Sequence, residues 1–128
     1  MKYKNNPFNI RYTNKSKWLG LVGAKNGFCE FSSIEYGVRC CLYLLLRTYK
    51  KRGWLTISQI IEHFAPESDH NNTDHYIWHV TTYTGLSADT VFYMLPKANQ
   101  FLVLAAMSAI ETGYHLPLVV FNKSYSLL

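Results

Sequence analysis

The segment from Phe101 to Gly113, FLVLAAMSAIETG, constrains the fold more than any other part of the chain. It is apolar on nearly every face of a helix, and such a helix is stable only when it is buried on all sides. Ser108 interrupts the apolar run and Glu111 follows it, so the run falls short of the ~20 apolar residues of a membrane span. The total of 128 residues is a usual length for one domain. The sequence therefore predicts a single domain, residues 1–128, built around this central helix.

Further helical segments are predicted from apolar spacing and from residues typical of helix ends. Ser32 to Glu35 has the Ser-x-x-Glu spacing of a capping box, and it is predicted to open a helix that runs to about Lys51. The other predicted segments are 57–64 after Thr56, 72 or 73 to 83 before Gly85, a short piece from Ser87 through Phe92, and 98–112 closed by Gly113.

The two ends of the chain carry different patterns. In residues 1–31, apolar positions are separated by glycines and by the turn pair Asn26-Gly27, which favours a small β-hairpin. The tail, 114–128, contains Pro117 and is predicted to be extended. The predicted class is α+β, mainly α, with a β-rich corner at 1–31, a helical body at 32–113 and an extended tail at 114–128.

The charge is distributed unevenly along the chain. Residues 1–52 hold eleven Lys and Arg against two acids, a balance of +9, whereas residues 53–128 hold two bases against six acids, a balance of −4. A basic half of this kind favours a polyanionic partner: nucleic acid, a membrane surface or an anionic cell-wall polymer. The cluster from Arg47 to Arg52 is either a phosphate contact or a solvated helix end.

The cysteines and histidines do not indicate a metal or disulfide framework. Cys29, Cys40 and Cys41 are odd in number and two are adjacent, so free buried thiols are expected. His75 and His79 have an i, i+4 spacing that can hold zinc, but no Glu follows the first His as it does in zinc proteases. Surface histidines are the alternative interpretation, and no metal site is predicted.

Glu111 is the most informative single residue. It is the only carboxylate in an otherwise uncharged apolar helix. Burial without a cationic partner raises the pKa of a carboxyl group, and a carboxyl that keeps its proton near neutral pH is what a general acid requires. The alternative is a Glu at a helix end that reaches solvent.

A resemblance to a known family bears on this choice. The segment Asn5-Asn6-Pro7-Phe8-Asn9-Ile10-Arg11, followed by Trp18 and Gly20, resembles the NNPxNIR…W…G signature of phage virion-associated lysins, small muralytic proteins of the lysozyme superfamily. Further matches follow in the same order over residues 5–113. They are Phe31, Ser32, Glu35, Gly37 and Arg39; Thr56-Ile57 and Ile60-Ile61; Ala65-Pro66; Asn72-Thr73; and Tyr76-Ile77.

The order of these motifs implies a circular permutation. In bacterial glucosaminidases of the superfamily, a helix that ends in the catalytic Glu precedes an NNLFGIK segment, and lytic transglycosylases end their domain with a T-x-x-Y-V helix. In this chain NNPFNIR comes first, and the helix ending in Glu111 follows the Thr73–Tyr76 helix. The resemblance implies a circularly permuted lysozyme-like domain in which the C-terminal end of the Glu111 helix lies close to Asn5 through Arg11.

The resemblance also implies roles for individual residues. Glu111 is expected to be the catalytic acid, and Glu30, in the hairpin, is the candidate second carboxylate. The residues expected to bind substrate are Asn6, Asn9, Arg11, Trp18, Thr73 and Tyr76. The chain departs from the family at Phe8, where Gly is usual, at Phe64, where Trp is usual, and in the loop after Ala65-Pro66, where Glu67 or Asp69 stands for a family Glu.

The expected function is that of a peptidoglycan-degrading lysin, of the muramidase or lytic transglycosylase type, that needs no cofactor. A one-carboxylate transglycosylase mechanism is slightly favoured. Alternatives are a non-catalytic virion structural or wall-binding protein that keeps the fold, and a nucleic-acid-binding protein. Expected partners are peptidoglycan and other virion proteins, without specific nucleic acid.

The start, MKYKNNPFNIR, lacks the apolar core of a signal peptide, so a place in the virion, or in the host cytoplasm before release to the wall, is expected.

Overall fold

The computed structural model describes residues 1–128, which form a mainly helical structure with 54% of residues in helices and 9% in strands. The single sheet is a two-stranded antiparallel hairpin of β1 (Leu21–Lys25) and β2 (Phe28–Phe31). Its turn is Asn26-Gly27, and both residues have positive φ, 53° and 81°. Such a turn matches the twist of paired strands, so the hairpin predicted from the Asn-Gly pair is confirmed.

The first long helical stretch is α1 (Ile34–Tyr43), a π-helical segment (Leu44–Thr48) and α2 (Tyr49–Lys51). The predicted capping box at its start is wrong, because the helix begins after Ser33 and no side chain caps it. The residue before the helix is Ser33, whose backbone is extended, and the Ser32 amide donates a hydrogen bond to the Gly20 carbonyl. Glu35 is therefore too close to the helix start to reach back to Ser32.

The middle of the chain forms α3 (Ile57–Phe64) and α4 (Thr73–Thr84), joined by a short 3₁₀ turn, Glu67–Asp69. Thr56 and Gln59 form a true capping box at the start of α3. The short piece predicted from Ser87 through Phe92 is wrong, since the 3₁₀ helix there is Phe92–Met94. The carbonyls of Ala88 and Thr90 instead accept hydrogen bonds from the first free amides of α3, and the Thr90 amide closes a turn by donating to the Ser87 carbonyl.

Helix α5 (Lys97–Thr112) contains more buried residues than any other helix of the molecule, and α4 packs along it. Gly113 ends it in the left-handed conformation, with φ of 79°. Eight of its residues are buried: Gln100, Phe101 and Val103 through Ser108. The prediction of a central buried helix in this part of the chain is confirmed. None of the helices is long and apolar enough to cross a membrane.

The tail was predicted to be extended, and this prediction is wrong. Residues Leu118–Ser126 form a helix, α6, which starts directly after Pro117 and packs against α1. Phe121 is buried there and its ring stacks on the ring of Phe101, with centroids 5.5 Å apart. A proline at the start of a helix loses no intrahelical hydrogen bond, and burial of Phe121 stabilises the helix that follows.

The NNPFNIR segment lies against the start of α1 and the sheet. Asn5 and Asn9 both have left-handed backbones, with φ of 55° and 52°. The buried Asn6 side chain accepts a hydrogen bond from the Ile10 amide and donates to the carbonyls of Ile10 and Cys29. These bonds tie the segment into a tight loop and aim the Asn9 side chain toward the end of α5.

Candidate active site

A cavity of about 600 Å³ lies where four parts of the chain meet. They are the N-terminal segment, the π-helical junction after α1, the loop after α3 and the C-terminal end of α5. Its polar and charged lining includes Lys2, Asn9, Arg11, Thr13, Ser16, Thr48, Arg52, His63, Asp69, Asn71 and Glu111. A volume of this size falls within the range of small-ligand pockets, and convergent polar groups of this kind fix a ligand's orientation.

Glu111 reaches this cavity from the last turn of α5. Burial raises the pKa of its carboxyl above the ordinary value, while the hydrogen bond from Asn9 and the nearby Tyr76 hydroxyl oppose the shift. The Asn9 side-chain amide donates to Glu111 Oε1 at 2.9 Å and to the Glu111 backbone oxygen at 3.2 Å. The predicted proximity of Asn9 and Glu111 is therefore confirmed, and the result is a partly buried acid held in one orientation.

Tyr76 lies on the protein side of the Glu111 carboxyl. Its ring is buried and lines no part of the cavity, and its hydroxyl has no hydrogen bond of standard geometry. The two groups are still close enough to affect each other: burial, then the Glu111 charge, raise the pKa of Tyr76. Tyr76 is therefore placed to orient the acid, and it is not placed to touch a ligand in the cavity.

Arg11 and Asp69 form an ion pair at the cavity wall, with 3.8 Å between Arg11 Nε and Asp69 Oδ2. The Arg11 guanidinium also lies over the Phe28 ring, 5.0 Å from its centroid. Trp18 lines the same cavity and meets Tyr43 edge to face at 5.8 Å. The wall thus combines cationic groups with exposed parts of aromatic rings.

Besides Tyr76, three more of the residues expected at the site do not line the cavity. Asn6 is fully buried in the loop of the NNPFNIR segment, and the Thr73 hydroxyl donates to the Ala65 carbonyl at 2.6 Å. The Glu30 carboxylate accepts a hydrogen bond from the Lys4 amide at 3.0 Å and does not line the cavity. The second carboxylate that the structure brings to the cavity is Asp69.

The cavity also includes residues that sequence reasoning missed. Leu44 and Thr48 line it, and they share a spacing of four with Arg52 of the basic cluster that the sequence had singled out, so this helical stripe was visible in the sequence. Tyr49 lines it too, and burial raises the pKa of its hydroxyl to about 12, so the hydroxyl stays protonated and can donate a hydrogen bond. His63 had no local signal, because its place depends on how α3 packs.

The histidines and cysteines with motif-like spacing lie apart from this chemistry. His75 stacks near Trp78 and His79 near Tyr83, and no group of three or more candidate ligands is close enough to hold a metal ion. The three cysteines are free and buried, as expected, and burial raises the thiol pKa values.

The sequence matches no protein-family model and none of the curated proteins.

Proposed function

We propose that this chain cleaves the glycan strands of bacterial peptidoglycan, with Glu111 as the general acid. The observation that carries the proposal is a carboxyl whose pKa is raised by burial and which lines a cavity of about 600 Å³. A raised pKa keeps part of the Glu111 population protonated at a pH where an exposed Glu is ionised. The resemblance of the NNPFNIR segment to phage lysins supplies the substrate class.

The shape and charge of the cavity wall suit a sugar polymer. Parts of the Trp18 and Tyr49 rings line it, and aromatic rings give sugar rings a flat apolar surface against which to pack. Arg11 and Arg52 supply donors for hydroxyl and carboxylate oxygens. The positive balance of residues 1–52 attracts an anionic wall.

In the proposed reaction, the proton of the Glu111 carboxyl passes to the glycosidic oxygen while the bond between that oxygen and C1 breaks. The leaving sugar departs as an alcohol, and positive charge develops on C1 of the other sugar. Glu111, now a carboxylate, accepts the proton of the attacking hydroxyl as the new bond to C1 forms. The Asn9 amide stabilises this charged form, since it donates directly to Oε1.

The attacking group distinguishes two versions of the mechanism. When the C6 hydroxyl of the same sugar attacks, the product is a 1,6-anhydro sugar and one carboxyl is enough. When water attacks, a second carboxylate assists, and Asp69 is the one that lines the cavity. Asp69 is paired with Arg11, which favours a structural use of its charge and therefore the one-carboxylate version. The masses of released fragments separate the two, because the anhydro product is lighter by one water.

The decisive experiment compares Glu111→Gln with Glu62→Gln, an exposed glutamate of α3 away from the cavity. The amide of Gln cannot donate a proton to the leaving oxygen. We expect Glu111→Gln to lower the rate of fragment release from purified peptidoglycan by roughly 10²–10⁴-fold, and Glu62→Gln to leave it unchanged. Circular dichroism spectra of the two variants control for folding.

Equal rates for the parent and Glu111→Gln would contradict the assignment of the acid. A parent protein that binds walls but releases no fragments would instead support the alternative of a non-catalytic wall-binding or virion component. A wall-binding protein of that kind would use the positive charge of residues 1–52 and would not need a carboxyl with a raised pKa.

A further inference from the structure

A second cavity, of about 390 Å³, adjoins the first one. The two cavities share Thr13, Ser16 and Trp18 as lining residues, so the Trp18 region forms a common wall. A ligand that fills the first cavity therefore lies directly beside the second. The second cavity takes no part in the chemistry at Glu111, which lines only the first.

The charge of the second cavity has one sign. Its lining includes Lys15, Lys17 and Arg39 and no carboxylate. None of the three cations has a salt-bridge partner, since the pair of Arg11 and Asp69 is the only one in the molecule. Three unpaired cations around one cavity create a positive potential that favours an anionic group.

Arg39 is held in place while part of its guanidinium stays free. Its Nε donates to the Leu127 carbonyl at 3.0 Å, and its guanidinium carbon lies 5.4 Å from the centre of the Tyr43 ring. The terminal nitrogens make no hydrogen bond to the protein, so they keep their donors for a ligand. A guanidinium that is already ordered loses less conformational entropy when it binds a carboxylate than a mobile one does.

We propose that the second cavity binds the anionic peptide stem that branches from the glycan strand, an inference that rests on the proposed function. The shared chemistry is a carboxylate or phosphate carried beside the sugar chain. A stem is attached to every second sugar of peptidoglycan and carries several free carboxylates, so a strand in the first cavity brings a stem to the common wall. Phosphate polymers of the wall lack this regular attachment.

The experiment measures equilibrium binding in a Glu111→Gln background, which prevents turnover during the measurement. The test variant is Lys15→Gln/Lys17→Gln. The matched control is Lys25→Gln/Lys123→Gln, which removes the same charge from exposed positions outside both cavities. Three probes are used at about 0.15 M salt, where the Debye length is ~8 Å: glycan strands with stems, strands stripped of stems by an amidase, and poly(glycerol phosphate).

We expect the test variant to bind stem-bearing strands roughly three- to tenfold more weakly than the parent, because exposed charge pairs have modest energies. Stripped strands should lose less than twofold, and the control variant should lose less than twofold on both. Equal losses for the two variants, or equal losses on the two strand preparations, would overturn the proposal. So would an absence of strand binding, or a loss confined to poly(glycerol phosphate).

Failure of the proposed function gives a different result from failure of this inference. A parent protein that cleaves no wall would contradict the assignment of Glu111, while the binding comparison would still decide whether the second cavity holds a stem. A parent that cleaves walls, combined with equal losses in the two lysine variants, would contradict the second cavity alone.

Discussion

At the level of single residues, two opposing influences act on the Glu111 carboxyl. Burial favours the neutral acid, and the hydrogen bond from Asn9 together with the nearby Tyr76 hydroxyl favours the carboxylate. Burial has the larger effect, so the pKa is raised. Both influences suit a general acid. Burial helps the carboxyl to hold its proton before bond cleavage, and hydrogen bonding stabilises the carboxylate that remains afterwards.

The raised pKa of Glu111 predicts a pH dependence of stability. Below the ordinary value of 4.5, the carboxyl is protonated in both the folded and the unfolded chain. As pH rises above this value, the unfolded chain releases the proton more readily than the folded one, so the parent loses free energy of unfolding until the folded-state pKa is passed. Glu111→Gln lacks this titration and should gain stability relative to the parent over the same range.

Urea unfolding of the parent and Glu111→Gln between pH 4 and pH 8 measures this difference. The difference in free energy of unfolding should shift in favour of the variant with rising pH and then level off. A difference that is constant across the range would mean that burial does not perturb the carboxyl. A shift in the opposite direction would mean that hydrogen bonding with Asn9 outweighs burial.

At the level of secondary-structure elements, the site depends on where helices end or change their winding. Glu111 is in the last turn of α5, and Leu44 and Thr48 bound the π-helical segment that lines the cavity. A π-helical turn widens the helix locally and is common at functional sites. Gly37 allows α1 to lie directly against the Asn5 carbonyl, where a side chain would collide. This contact holds the start of the NNPFNIR segment against α1.

Helix α6 is predicted to be a structural part of the domain. Phe121 is 2% exposed and packs on Phe101 of the central helix, so Phe121→Ala should lower the free energy of unfolding by about 3 kcal/mol. Val119→Ala is the matched control, because this side chain is 70% exposed and its truncation should cost less than ~0.5 kcal/mol. Denaturant unfolding of both variants checks the difference, and equal stabilities would mean that α6 is not docked in solution.

At the level of the whole molecule, six of the eleven cations in the first 52 residues line the two cavities. Lys2, Arg11 and Arg52 line the first cavity, and Lys15, Lys17 and Arg39 line the second. The remaining cluster at the end of the first helical stretch, Arg47, Lys50 and Lys51, is exposed and lines neither. The exposed cluster is therefore expected to attract an anionic substrate over long range, and the cations that line the cavities are expected to contact the bound substrate.

Salt should therefore separate these two uses of charge. Replacement of Arg47, Lys50 and Lys51 by Gln should lower the initial rate of wall lysis at 0.05 M salt by roughly tenfold, because steering of an anionic substrate is lost. At 0.3 M salt, where the Debye length is well below ~10 Å, this variant and the parent should have similar rates. Arg11→Ala should stay impaired at both salt concentrations, since Arg11 lines the cavity.

Initial lysis rates across ionic strength decide this prediction. The same salt dependence in the parent and in the variant lacking the cluster would show that the helix end is only a solvated surface. Recovery of Arg11→Ala at high salt would place Arg11 among the steering residues instead of the local ones.

Several features of this protein follow from the sequence alone, because their signals lie within a few neighbouring residues. The Asn26-Gly27 pair determines the hairpin through its backbone conformation, and Thr56 with Gln59 determines the start of α3. The apolar pattern of Phe101–Gly113 determines a buried helix, and a lone Glu in that helix predicts a carboxyl with a raised pKa. The turn and the helix start depend on the backbone geometry of a few neighbouring residues. The buried helix and its Glu depend on exclusion of water, which the apolar residues around them already predict.

The tertiary structure decided what depends on contacts between distant parts of the chain. The hydrogen bond between Asn9 and Glu111 joins residues 102 positions apart, and no local pattern encodes it. Glu30 and Asp69 are similar carboxylates in the sequence, yet the Glu30 carboxylate accepts a hydrogen bond from the Lys4 amide, and the turn after α3 brings Asp69 to the cavity. The tail was predicted to be extended from its local sequence, yet it is helical because packing of Phe121 against Phe101 of α5 adds burial energy to a weak intrinsic preference.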